Sequence, residues 1–253
     1  MKDQNEKKRH FILDHFTMTE RYTPPRQIIP RNRIPEQDRQ RHGSALLGQV
    51  DLLKQQFRTA RQIQEDAGYD GGFGIPVEFE SFPDIELAFE SLSRESSGIE
   101  LLNLRHEDKK YYATVFVPDG KLTHFERLIR DFLEEKCDRN GKPRDNKNLI
   151  NTIHQIRAAT IQALWTDDKA VFPVSDEETF WWEVWLPVRK DRATVVNIFH
   201  KIAKTLDFKV MPGELQFPER TVLLVRTSKK MMSQSMMLLN SIAELRRAKE
   251  TAE

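Results

Sequence analysis

Ala113-Thr114-Val115-Phe116-Val117 leads into the turn Pro118-Asp119-Gly120 and then an amphipathic helix. The same order returns at Arg220-Thr221-Val222-Leu223-Leu224-Val225, again with a turn and a helix behind it. Around the first copy, Ile75-Pro76-Val77-Glu78-Phe79-Glu80 alternates apolar with acidic residues, the mark of a half-buried strand. The apolar runs Ile99 to Leu104 and Tyr111 to Val117 flank His106-Glu107-Asp108-Lys109-Lys110 and read as a β-hairpin. A helix is expected from Leu122 to Cys137, with Phe125, Leu128, Ile129 and Phe132 on its buried side. The segment Asp84 to Leu92 fits neither helix nor strand clearly.

The second copy sits in a similar setting. Leu149, Ile153, Ile156, Thr160 and Leu164 recur at helical spacing and predict a helix from Asn148 to Trp165. Phe180-Trp181-Trp182-Glu183-Val184-Trp185-Leu186 is an aromatic strand, followed by a helix from Ala193 to Leu206. Strand material follows at Phe208 to Val210, Leu215 to Phe217 and Thr221 to Arg226, and a last helix is predicted from Ser228 to at least Lys249. Each half then reads as strand, something, strand, strand, helix. That order suits a ferredoxin-like α+β sandwich, an antiparallel sheet with helices on one face. Two such units are expected.

Ahead of them, Leu46, Leu47, Val50, Leu53, Phe57, Ala60 and Ile63 build one apolar stripe in a long helix from Glu36 to Ala67. Ser44 is placed to cap its start. The glycine cluster Gly68 to Gly74 stops this helix; lacking a Gly-Lys-Ser/Thr ending, it is no phosphate loop. Pro24, Pro25, Pro30 and Pro35, together with Arg26, Arg31 and Arg33, mark a basic, partly ordered arm. The polar loop Asp138 to Arg144 is the expected boundary between the halves. The segments are therefore 1–35, an extended basic arm; 36–140, a helix plus the first α+β unit; and 141–253, the second α+β unit.

Composition narrows the function. Among 253 residues, 40 Lys and Arg face 39 Asp and Glu, a net charge of +1, so no chain-wide basic field grips nucleic acid. A single cysteine forms neither an intrachain disulfide nor a thiolate cage. No apolar run approaches the roughly 18 residues of a membrane span, and the N-terminus opens polar, so a cytoplasmic protein without membrane partners is expected. Seven histidines are present, but none has an identifiable catalytic partner. His124, His154 and His200 are expected inside helices among apolar neighbours. Asp167-Asp168 is the best carboxylate pair, and the spacing favours a cap on a following turn over a cation site. No catalytic, metal-binding or cofactor-binding residue is expected.

The aromatic strand carries the strongest sign of binding. Alternation sends Phe180, Trp182, Val184 and Leu186 to one face and Trp181, Glu183 and Trp185 to the other. Trp181 and Trp185 are therefore candidate inter-domain or partner contacts, with ordinary core packing as the alternative. Base stacking would want positive charge between the rings, and the interleaved residue is Glu183, so nucleic acid is not the expected partner. Met232 and Met236, in the run Met231 to Met237, are further candidates because methionine adapts to irregular surfaces, although their helical spacing favours core packing.

Several stretches together resemble a known family. Phe79-Glu80-Ser81, Ser97 to Asn103, Ala113 to Leu122, Leu164-Trp165-Thr166-Asp167-Asp168, Trp181 to Leu186, Phe217 to Val222 and Ala243 to Glu250 occur in this order. They look like the N-terminal, non-catalytic region of bacterial subtilisin-like (S8 family) serine peptidases of the kind encoded beside an AAA-type ATPase and linked to phage defence. The resemblance implies a regulatory or interaction region, with propeptide-like action by fold analogy. It implies docking on a protease domain C-terminal to this chain or on the ATPase. None of the subtilase triad motifs occurs here, so no catalytic role is carried over. The helical character left at Glu253 suggests a piece of a longer polypeptide. The alternative is a stand-alone nucleic-acid-binding α+β module.

Overall fold

The computed structural model describes residues 34–66, 73–189, 191–235 and 242–249. The arm at 1–33, with His10 and His15, lies outside the described residues, as do most of the glycine cluster and Met236.

The first half is built from α1 (Arg39–Asp66), β1 (Gly74–Ser81), β2 (Glu100–Glu107), β3 (Lys110–Pro118), α2 (Leu122–Leu133), α3 (Lys147–Ile150) and β4 (Ile153–Ala158). Its strands lie in the order β2-β3-β1-β4, every neighbouring pair antiparallel. This is the ferredoxin-like order with one substitution. The β1–β2 crossover carries only short 3-10 turns at Phe89–Ser91 and Glu95–Ser97. The helix packed beside α2 is instead α1, from ahead of the sheet. Its Leu46, Val50, Leu53 and Phe57 share a core with Val77, Phe79, Val115, Phe125 and Ile129.

Local chemistry accounts for the joints. Asp38, whose Oδ1 accepts from the Arg41 N–H at 2.7 Å, caps α1. Ser44 lies inside the helix, which corrects the capping role expected for it. Gly43 allows α1 close to α2, since a Cβ there would stand 2.6 Å from Leu133 Cδ2. The β2–β3 hairpin turns on Asp108 and Lys109 with φ of 48° and 66°, the two positive dihedrals of a tight right-twisting hairpin.

The second half repeats the plan with β5 (Thr179–Pro187), α5 (Arg192–Thr205), β6 (Lys209–Val210), β7 (Leu215–Gln216), β8 (Arg220–Ser228), α6 (Lys229–Ser235) and β9 (Glu244–Arg247), preceded by α4 (Ile161–Leu164). Its order is β6-β8-β5-β9, with β7 also paired to β8. Trp182, Val184 and Leu186 of β5 form the core with Phe199, Ile202 and Ala203 of α5. The fold is α+β with two antiparallel sheets and a long leading helix.

Two expected helices are corrected, and each contains the last strand of its sheet. Residues 148–165 hold α3, β4 and α4 in place of one helix. A bulge explains the misleading period: Phe79 pairs with Ile156, Glu80 with Gln155 and Ser81 with Ile153, leaving His154 extra. Ile153 and Ile156 thereby reach the same core from a strand at a three-residue spacing. His154 accordingly lies in a strand. The last helix, expected to run to Lys249, is α6 over Lys229–Ser235, and Glu244–Arg247 is β9. The polar loop at 138–144 lies between α2 and α3, and the passage between sheets falls after β4.

Candidate functional site

Strand alternation that buries Ile75, Val77 and Phe79 beneath the helices sends Glu78 and Glu80 to the opposite face of the first sheet. Both are buried, and neighbouring strands supply their partners. Glu78 accepts from Arg105 Nη2 at 2.5 Å and from Arg157 Nε at 2.8 Å. Glu80 accepts from Lys110 Nζ at 2.6 Å and Arg157 Nη1 at 2.8 Å, with His154 Nδ1 at 3.4 Å. Burial alone would push the Glu80 carboxyl up; hydrogen bonds and charge from Lys110 and Arg157 outweigh it and hold the group below the usual glutamate range.

A cleft of about 380 Å³ opens beside this network, lined by Arg105, Tyr112, Arg157, Trp165, Lys169 and Phe172. Its cations are already matched: Lys169 reaches Glu107 at 2.9 Å, and Arg105 reaches it at 3.0 Å. Charges paired this way fix strands and loops to one another and leave Glu80 with no proton to donate at neutral pH. In the sequence Glu78 and Glu80 show only as an alternation, because their partners come from three other strands. The acid-apolar pattern was the signal available.

The second sheet carries the candidate binding face. Opposite the helices, Trp181, Glu183 and Trp185 stand half-buried on β5. Register places Arg226 across from Trp181, and Arg246 across from Glu183. Trp185 stacks on Phe217, with centroids 5.4 Å apart and planes 15° apart, and the Arg246 guanidinium lies 4.4 Å from its centroid. Lys209 Nζ is 5.8 Å from the Trp181 ring. Phe217 is 43% exposed and Leu215 65%, so the patch extends past β5. Glu244 anchors its rim, accepting from Thr166 Oγ1 at 2.8 Å and Arg246 Nη2 at 2.7 Å.

The structure thus brings Trp181 and Trp185 to one accessible face and adds Phe217 and Arg246, which no local pattern tied to them. Met232 is corrected: it is 0% exposed, within the second core, and offers a partner nothing. Asp168 caps the 3-10 turn Lys169–Val171, its Oδ1 accepting from the Ala170 N–H at 2.9 Å, while Asp167 accepts from the Asp168 N–H.

The described histidines are occupied by neighbours. His42 Nε2 lies 3.0 Å from the Ile150 carbonyl, His106 stacks on Tyr111 at 4.3 Å, and His124 meets Arg94 and Arg127. Among the described residues no histidine hydrogen-bonds a serine, and no three His, Cys, Asp or Glu side chains converge as a metal site. Among them also, no helix is long and apolar enough to cross a membrane.

No curated protein matches the chain. Residues 40–160 match the family described as the Y4kK N-terminal domain. The matched stretch begins one residue into α1 and ends just past β4, so the similarity covers the first half with its leading helix and stops before the aromatic sheet.

Proposed function

We propose that this chain is a non-catalytic interaction module of a cytoplasmic, subtilisin-like serine peptidase system, docking on the protease domain or on an ATPase partner. The observation that supports this reading best is the aromatic face of the second sheet. Trp181, Trp185, Phe217 and Leu215 put large apolar area beside Arg226 and Arg246, and protein interfaces are enriched in aromatic rings and arginine. A propeptide-like role is the narrower form, in which this face covers the protease domain and holds it inactive.

The test is retention of the subtilisin-like catalytic domain encoded with this chain, comparing the native chain with Trp181→Ala/Trp185→Ala. The native chain is expected to retain it, and the double variant to bind about tenfold or more weakly. Equal retention, or a gene neighbourhood with no such domain, overturns the reading.

A second reading, nucleic-acid binding, draws on Lys209 and Arg226 beside Trp181, where positive charge does interleave with an aromatic ring across strands. Against it, Trp185 already carries Phe217 and Arg246, so a base would have to displace them. Salt-sensitive binding of single-stranded oligonucleotides, lost in Trp181→Ala, would favour it.

A further inference from the structure

We propose that a basic groove in the first half, between Arg94, α2 and the 143–149 segment, binds an acidic stretch of a partner protein. The groove encloses about 790 Å³. Arg94 enters from the turn before Glu95–Ser97, its backbone pinned by paired hydrogen bonds to Ile99 at 2.8 and 3.2 Å. Arg127 enters from α2, one turn beyond His124. Arg94 Nη1 and Arg127 Nη2 lie 3.4 and 3.3 Å from the same atom, His124 Nδ1. Burial first, and the two guanidiniums after it, hold the imidazole below its usual pKa, so it faces them as a neutral acceptor.

Two cations converging on one neutral nitrogen repel each other, and an anion between them relieves the repulsion. Nothing in the groove supplies it. Among the described residues, Arg94, Arg127 and Lys147 form no ion pair. The groove's own acids are already paired: Asp131 with Lys136 of the same groove at 2.7 Å, and Asp145 with Arg39 outside it at 2.9 Å. Among the described residues Arg144 pairs only with Asp138, at 3.9 Å. Positive charge is therefore in surplus here, although the whole chain stands at +1.

That contrast selects the occupant. A nucleic acid is drawn by an extended basic field and needs aromatic platforms if single-stranded. This groove is local, and among its lining residues the one aromatic ring is the His124 imidazole. A short run of Asp or Glu side chains matches the planar, forked donors of two arginines and needs neither an extended field nor a stacking platform. Only this choice of occupant rests on the reading of the chain as a protein-binding module; the surplus charge does not.

The experiment is fluorescence anisotropy with a labelled polyglutamate peptide, titrated with the intact chain. An uncharged polyglutamine peptide and a short DNA duplex serve as comparators, and the His124 imidazole resonances report the location. The polyglutamate is expected to bind in a salt-sensitive way and to shift His124. Arg94→Gln/Arg127→Gln should weaken it about tenfold or more, while Lys201→Gln/Lys204→Gln on α5 leaves it unchanged. Both pairs are exposed, so matching thermal unfolding of the variants is expected. No binding, equal binding by Arg94→Gln/Arg127→Gln, or tighter binding of the duplex overturns the proposal. Each of these leaves the Trp181 and Trp185 retention experiment unaffected, so the two readings fail separately.

Discussion

The Arg189 guanidinium lies 3.8 Å over the Phe116 ring while its Nε reaches Glu100 Oε2 at 2.6 Å. One side chain beyond β5 thus grips β3 and β2 of the other sheet. Beneath the ring is Gly74, where a Cβ would stand 2.5 Å from Phe116 Cζ and 2.7 Å from the Val117 carbonyl oxygen. Gly74→Ala must move the ring or the strand, and should cost about 1–3 kcal/mol in urea unfolding. An unchanged midpoint would show that Phe116 yields freely and clamps nothing.

Acid should weaken the first sheet through Glu80. Its folded pKa is lowered by Lys110 and Arg157 against burial, so its stabilisation is present above the unfolded pKa and is lost as pH falls through the folded one. Unfolding free energy measured from neutral into acidic pH is expected to fall below the ordinary glutamate range. In Lys110→Met that fall should be shallower; an identical pH dependence would remove Lys110 from the account.

Stability and binding should separate on the second half. Met232→Ala, at a fully buried site, is expected to cost about 2–5 kcal/mol. Trp181→Ala, on the outer face, should cost less in thermal unfolding while being the change that impairs retention of a partner. The reverse ranking would place Trp181 in a structural role.

At the start of α5, Asp191 Oδ1 accepts from the Thr194 N–H at 2.8 Å. Asp191→Ala should destabilise the chain by about 1 kcal/mol, and Asp191→Ser should restore most of it. If alanine and serine behave alike, the cap contributes nothing measurable.

His124 should titrate below an ordinary imidazole when followed by NMR, chiefly through burial and further through Arg94 and Arg127. Arg94→Gln/Arg127→Gln is expected to raise its pKa only part of the way back, since burial remains. A full return would make charge, rather than burial, the main cause.

Much of the fold was legible because it is written in local periods. The alternation of Glu78 and Glu80 with Val77 and Phe79, the hairpin around Asp108, and the face split of β5 are all two-residue patterns. The last strand of each sheet was not legible. The bulge at His154 gives Ile153 and Ile156 a helical interval within a strand. At the far end of the chain, Ile242 and Leu245 repeat that interval, with Leu245 buried in the core from β9. The site divides the same way. Trp181 and Trp185 were visible from one strand, whereas Phe217, Arg246 and the Arg94–Arg127 pair meet only across elements distant in sequence, where no interval in the chain records the contact.

The packing of α1 on β4 also has a temporal side. The helix leaves the ribosome before any strand of the first sheet, and the strand beside it leaves after every other part of that sheet. Until Ile153 and Ile156 emerge, the apolar stripe of Leu46, Val50 and Leu53 has only a partial shelter. Nascent chains should therefore stay open and prone to chaperone capture until Ala158 has emerged from the ribosome, and then close in one late step.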